Sequence, residues 1–208
     1  MLSHLHPPAP LPPHLDQIRR SLEGAASPER EQNAHAAVAL VLAGAASNLS
    51  LCLILRAEHA SDRWSGHIAL PGGRVDPVDA DARAAAIRET REEVGLRLER
   101  SPYLGLLGAQ PIYVNGRPGD KSLSSHVFHL GETLQGFTIN YEVAEAFWVP
   151  LQHLLDPRNA GYRRSTRDGV MYDSPAVLYQ GHHIWGLTYR VLTLFFERMQ
   201  LQIARPAA

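Results

Sequence analysis

Glu89, Glu92 and Glu93 stand at i, i+3 and i+4, a spacing that on a helix projects all three carboxylates from one face within about a turn. Like charges packed in this way repel one another by roughly a few tenths of a kcal/mol per pair, and a hard divalent cation among them removes the conflict. Oxygen-only ligands select Mg²⁺, Mn²⁺ or Ca²⁺ over zinc, and Mg²⁺ commonly combines a few carboxylates with the phosphate oxygens of a substrate. The indicated chemistry is therefore on phosphate. Arg88, four residues before Glu92, can pair with it and fix its rotamer. Ala85 and Ala86 fall on the same face one turn earlier and leave space over the carboxylates, whereas Ile87, Thr90 and Val94 point to the opposite side. The competing reading is a solvated helix face, which is what most charge runs are.

What separates the two readings is the sequence around the glutamates. Gly72-Gly73, a fourteen-residue connector and Arg88-Glu89-Thr90-Arg91-Glu92-Glu93-Val94-Gly95-Leu96 together resemble the Nudix box, G-x5-E-x7-R-E-U-x-E-E-x-G-U, where U is aliphatic. The connector is one residue longer than the pattern. Ala80 occupies the nominal place of its early Glu, with Asp76 and Asp79 as neighbours able to substitute, and Thr90 replaces the aliphatic U. Both departures resemble the coenzyme A diphosphatase branch of that family. So do Arg56-Ala57 and Gly66-His67-Ile68-Ala69-Leu70-Pro71-Gly72-Gly73, similar to R-[SA]-x3-R-x3-G-x3-[FL]-P-G-G, with Arg63 as the second arginine one place out of register. Downstream, Glu142 to Leu151 and Ile184 to Thr188 look like later blocks of the branch, so the likeness runs from about residue 15 to 198.

The resemblance implies a Nudix-type α/β/α sandwich with a mixed sheet between helices. It implies that Glu89, Glu92 and Glu93 hold Mg²⁺ or Mn²⁺ and that water attacks one phosphorus of a diphosphate in line, with Glu89 or Glu142 as base. The expected substrate is a small nucleotide derivative, coenzyme A or acyl-CoA, giving 3′,5′-ADP and (acyl-)4′-phosphopantetheine. ADP-ribose or another nucleoside diphosphate sugar suits the same chemistry. A catalytically silent Nudix-like module that binds a nucleotide as a regulator is the alternative from another class, and the intact glutamates speak against it. Arg56, Arg63 and Arg74 flank the glycine pair and can take phosphate oxygens in a bidentate fork. Gly72 and Gly73 are read as a turn in the substrate-binding region, where a positive φ would exclude larger residues. Glu145 competes with Glu142 as the downstream carboxylate. Adjacent His182 and His183 diverge on a strand and lack the partner spacing of a metal site. Trp148 and Trp185 read as core aromatics, and Tyr113 and Tyr162, in loops, as candidates to stack on adenine.

The elements that must position these groups follow from the hydrophobic pattern. Ala36 to Leu42 and Leu49 to Leu55 flank a turn with Gly44, Ser47 and Asn48 and predict a hairpin of buried strands. A helix is expected from about Ala82 to Val94, with Asp79 or Asp81 as N-cap and Gly95 as C-cap. Tyr103 to Gly108, Ser125 to Leu130 and Ala146 to Val149 read as strands, with Asn115 to Lys121 as an exposed loop. Ile184 to Gln202 has the spacing of an amphipathic helix. A short helix is expected over Leu15, Ile18 and Leu22, bounded by Gly24 and Pro28. Before it, residues 1–14 hold five prolines and read as an extended tail. Residues 15–203 then form one Nudix domain, with the box at about 72–96.

Composition is that of a globular chain able to fold by itself. The 208 residues are 45% hydrophobic and 20% charged, with a net charge of −1, so no global field recruits nucleic acid or an anionic membrane. The longest apolar run, Ala36 to Ala46, falls well short of the ~20 residues that span a bilayer. A single cysteine, Cys52, reads as a buried thiol in a reducing compartment, and with no signal-like segment recognisable the expected location is the cytoplasm. The proline-rich tail and the last helix offer surfaces for a homodimer.

Overall fold

The structure, a computed structural model, describes residues 9–24, 34–59, 64–114, 117–167 and 169–206. Apolar alternation on β1 (Ala36–Ala43) decides the layering. Ala37, Ala39 and Val41 face one side and Leu40 and Leu42 the other, all fully buried, as a strand covered on both faces requires. The expected hairpin forms with β2 (Ser50–Arg56), Leu42 lying opposite Leu51. Along its other edge β1 runs parallel to β6 (Arg117–His129), from Ala36 opposite Leu123 to Leu42 opposite His129. β6 in turn pairs antiparallel with β5 (Tyr103–Val114). β3 (Ile68–Ala69) and β7 (Val143–Pro150) pair antiparallel with β2, and β4 (Gly72–Arg74) with β1. One parallel pair among antiparallel ones makes this seven-stranded sheet mixed.

Helices cover both faces. α1 (Leu15–Leu22), α3 (Leu151–Leu155) and α4 (Gly186–Glu197) pack on the Leu40 and Leu42 side, burying Ile18, Leu22, Leu154, Phe195 and Phe196. α2 (Ala82–Val94) covers the other side with Ala82, Ala85, Ala86 and Val94. The architecture is the expected α/β/α sandwich. α2 is built from strong helix formers. It is capped by Asp81, whose Oδ1 accepts from Ala84 N at 2.7 Å, and it ends where Gly95 turns left-handed at φ 75° and donates its N–H to Arg91 O at 3.0 Å.

Several expectations need correction. Ala85 and Ala86 leave no open space over the carboxylates, because both are fully buried against the sheet; their small size lets the helix approach β1 closely. The region expected as a loop from Asn115 to Lys121 is strand from Arg117 onward, with Val114 opposite Arg117. The late helix begins only at Gly186, since Ile184 and Trp185 belong to β10 (His182–Trp185). β10 joins β9 (Val170–Tyr179) and β8 (Ala160–Arg167) in an antiparallel sheet of three strands that was not anticipated. Tyr162 thus lies on a strand, as does Tyr113. Trp148 and Trp185 are only partly buried. The tail is tied down at its end, where Pro13 is buried and Pro10 O accepts from Gln152 Nε2 at 3.1 Å. α4 buries Val191, Leu192, Phe195 and Phe196 in the core. Pro28 lies outside the described residues.

Candidate active site

The glycine pair is a strand rather than a turn, and each glycine is required for a different reason. Gly72 sits at φ 148°, and a Cβ there would collide with Ala37 O across the β4–β1 ladder. A Cβ on Gly73 would instead overlap the Glu89 carboxylate. Gly72 and Gly73 therefore run bare beneath α2, and their lack of side chains lets the carboxylate edge of the helix lean onto the sheet.

Glu93 is 1% exposed, with its Oε2 accepting from Gly72 N at 2.8 Å and its Oε1 3.8 Å from Arg56 Nη1. Burial pushes its carboxyl up to about 8, against the opposing pull of the Gly72 N–H and Arg56, and the nearby Glu89 and Glu142 charges add to the rise. Burial likewise raises Glu89 above the ordinary carboxylate range, although Arg88 opposes it. Glu92 stands in solvent at the outer lip.

Arg88 organises this edge from behind. Its Nε and Nη2 grip Asp79 in a fork at 3.0 Å each, its Nη1 reaches Glu89 at 2.9 Å and Glu92 at 3.3 Å, and its Nη2 also donates to Arg74 O at 3.2 Å. The pairing with Glu92 expected from sequence is present within a wider clamp. Both oxygens of Asp79 are engaged, one of them also accepting from Asp76 N at 2.8 Å, and the Arg88 bonds hold its carboxyl below the ordinary range. Neither Asp79 nor Asp76 lines the cleft; Asp79 serves instead as the anchor of Arg88.

The opposite wall comes from the segment before β7. Thr138 N and Asn140 N donate to Val94 O and Glu93 O at 3.0 and 3.2 Å, satisfying carbonyls at the end of α2. Asn140 Oδ1 then accepts from Glu142 N at 2.9 Å, an Asx turn that places Glu142 against the glutamate helix. Arg56, Gly72, Gly73, Arg74, Glu89, Glu92, Glu93, Asn140, Tyr141 and Glu142 line one open cleft of about 510 Å³. Glu89, Glu92, Glu93, Glu142, Arg56, Gly72, Gly73 and Arg74, all named from sequence, are in that lining; Arg88 stands behind it, and Tyr162 is not part of it. Arg63 lies outside the described residues. Glu145 is exposed and does not line the cleft, because it sits opposite Leu55 on the alternate face of the β7–β2 ladder. Asn140 and Tyr141 were missed; the short amide two residues before Glu142 was the available signal.

The donor set suits a hard cation: oxygen alone, with the Glu142 charge close enough to add to the rise at both Glu89 and Glu93. As placed, no three His, Cys, Asp or Glu side chains among the described residues converge on a single point, because Arg88 draws Glu89 and Glu92 toward itself while Glu93 is turned to Gly72. The chemistry of the donors fits a divalent ion.

The NUDIX domain family matches residues 33–169. The chain belongs to the Nudix hydrolases, a family that acts on small nucleotide substrates and generally requires divalent cations. It is similar to mitochondrial coenzyme A diphosphatase NUDT8 of Homo sapiens, 37% identical over 181 residues that cover 86% of this chain and 75% of that protein. The protein of the same name from Mus musculus is 34% identical, covering 79% of this chain and 82% of the relative. Peroxisomal coenzyme A diphosphatase NUDT7 of Mus musculus is 34% identical over 107 residues, covering 51% and 43%. No helix among the described residues is long and apolar enough to cross a membrane.

Proposed function

We propose that this protein hydrolyses the diphosphate linkage of coenzyme A or an acyl-CoA in a reaction dependent on Mg²⁺ or Mn²⁺, with residues 15–203 as the catalytic unit. The observation that carries the reading is the meeting of four carboxylates, Glu89, Glu92, Glu93 and Glu142, with two arginines, Arg56 and Arg74, around one open cleft. The names of the relatives support coenzyme A as the substrate.

A divalent ion held by Glu89, Glu92 and Glu93 would neutralise charge on the diphosphate oxygens and make a water more acidic. The guanidinium groups of Arg56 and Arg74 bind those oxygens and orient the linkage for in-line attack. Glu142 or Glu89 takes one proton from the attacking water as its oxygen bonds to phosphorus, and the bridging oxygen leaves with the other product. Arg88 touches no substrate; it holds the rotamers of Glu89 and Glu92.

Incubation with coenzyme A, ADP-ribose and a nucleoside triphosphate, each with Mg²⁺, Mn²⁺ or EDTA, separates the readings. Metal-dependent release of 3′,5′-ADP from coenzyme A in preference to the others is expected. Preference for ADP-ribose would reject the substrate, and nucleotide binding without cleavage of any of the three would reject catalysis. A cytoplasmic location and a homodimer belong to the same proposal. Buried Cys52, whose thiol burial pushes up, suits a reducing compartment, although the names of the relatives point to mitochondria and peroxisomes for those proteins. Imaging of the tagged chain and sedimentation measure the two.

A further inference from the structure

Arg163 and Arg164 are neighbours on β8 with opposite fates. Arg164 is neutralised by Asp173, its Nε and Nη2 donating to the two carboxylate oxygens at 2.9 and 3.2 Å. Arg163 has no carboxylate partner among the described residues. It donates Nη1 to Arg164 O at 3.0 Å and lies over the Trp185 ring, 5.5 Å from the centroid. The outer face of the small sheet brings them together: Trp185 is opposite Ala176, Ala176 opposite Gly161, and Arg163 is the next residue on that face. Arg163 is half-buried, so its charge is partly withdrawn from water without a counter-charge among the described residues. Burial and the Arg163 charge also hold the neighbouring His183 imidazole below its ordinary range.

Trp185 connects this cation, through His67, to Arg56 of the cleft. The Trp185 ring meets His67 edge-on with centroids 4.8 Å apart. His67 O accepts from Arg56 N at 3.0 Å, continuing the β2–β3 ladder in which Leu55 faces Ile68, so the His67 and Arg56 side chains leave the same face of the sheet. Arg56 lines the cleft beside Glu93. A row Arg56, His67, Trp185, Arg163 therefore leads from the diphosphate site to a guanidinium fixed on an aromatic plate. Guanidinium groups placed in this way suit a phosphomonoester, which offers paired oxygens and a double charge.

We propose that Arg163, positioned by Trp185, binds a phosphomonoester carried by the nucleotide half of the substrate, and so makes the enzyme select a 3′-phosphorylated adenosine diphosphate ester over its 3′-dephosphorylated analogue. This rests on the coenzyme A reading and names the residue that enforces it. The test compares kcat/KM for coenzyme A and dephospho-coenzyme A in the parent protein, Arg163→Ala, Arg163→Lys, Trp185→Phe and, as a control, Arg164→Ala. Arg163→Ala is expected to lower kcat/KM for coenzyme A by about tenfold or more and to leave dephospho-coenzyme A unchanged. Lys and the Trp185 variant should fall between, and Arg164→Ala should match the parent. An equal loss on both substrates, or an unchanged ratio, overturns the proposal. If Arg163→Ala does not fold, the Lys variant carries the same comparison. Should the parent cleave neither coenzyme, the coenzyme A reading fails, and the subsite is judged by affinity for adenosine 3′,5′-bisphosphate against AMP. A preference for the bisphosphate that Arg163→Lys weakens supports it, and equal affinities overturn it.

Discussion

Gly72 and Gly73 show how single atoms set the geometry of the cleft, and they separate in their consequences. Gly72→Ala places a methyl against the β1 backbone at a φ that L residues rarely adopt, so a loss of at least ~1 kcal/mol of stability is expected in denaturant titration. Gly73→Ala meets only the far end of Glu89, a side chain that can swing aside. Its melting temperature should stay near the parent's while turnover falls on the order of a hundredfold through displacement of one catalytic group. Glu93→Gln keeps an acceptor for the Gly72 N–H but removes the charge. Turnover should drop by roughly 10²-fold or more in a protein that still folds, and full turnover at saturating metal would remove Glu93 from the machinery.

Among the elements, α2 was the most legible from sequence. Its caps, its small residues and its glutamate spacing all pointed to the same segment, and Asp81→Ala should cost ~1 kcal/mol through the lost N-cap bond. The β1–β2 hairpin was equally open to reading because both strands are continuous apolar runs. β8, β9 and β10 were not, since Arg163, Arg164, Tyr172 and Asp173 break the apolar pattern on a sheet half of which faces solvent. The extension of β5 and β6 was hidden by the Gly, Pro and Asp of 116–120, although the Asn115-Gly116 pair is a hairpin signal. β6 also carries His126, fully buried, with Ser124 Oγ at 3.0 Å from Nε2 and Tyr103 OH at 3.2 Å from Nδ1. Burial lowers its imidazole from an ordinary value near 6.5 to about 4. Below pH 6.5 the unfolded chain takes up a proton that the folded chain refuses, so stability from this group is lost as pH falls through that window, by roughly 3 kcal/mol in all. A His126→Gln protein should show a flatter dependence of unfolding free energy between pH 6.5 and 5, and an unchanged slope would contradict the assignment.

For the molecule as a whole, the sandwich serves to bring three distant parts of the chain, Arg56 with Gly72 to Arg74, Glu89 to Glu93, and Asn140 to Glu142, to one cleft. The first two were readable because their residue types are dictated by chemistry and close approach. Asn140 and Tyr141 were not, because their place depends on how the segment before β7 folds back over the end of α2. The most direct test of the central claim is the release of 3′,5′-ADP from coenzyme A by the purified protein with Mg²⁺ or Mn²⁺, beside EDTA and the Glu93→Gln variant. Release with either metal, abolished by EDTA and by the substitution, is the predicted result; release that persists in EDTA, or no release with either metal, would contradict the account.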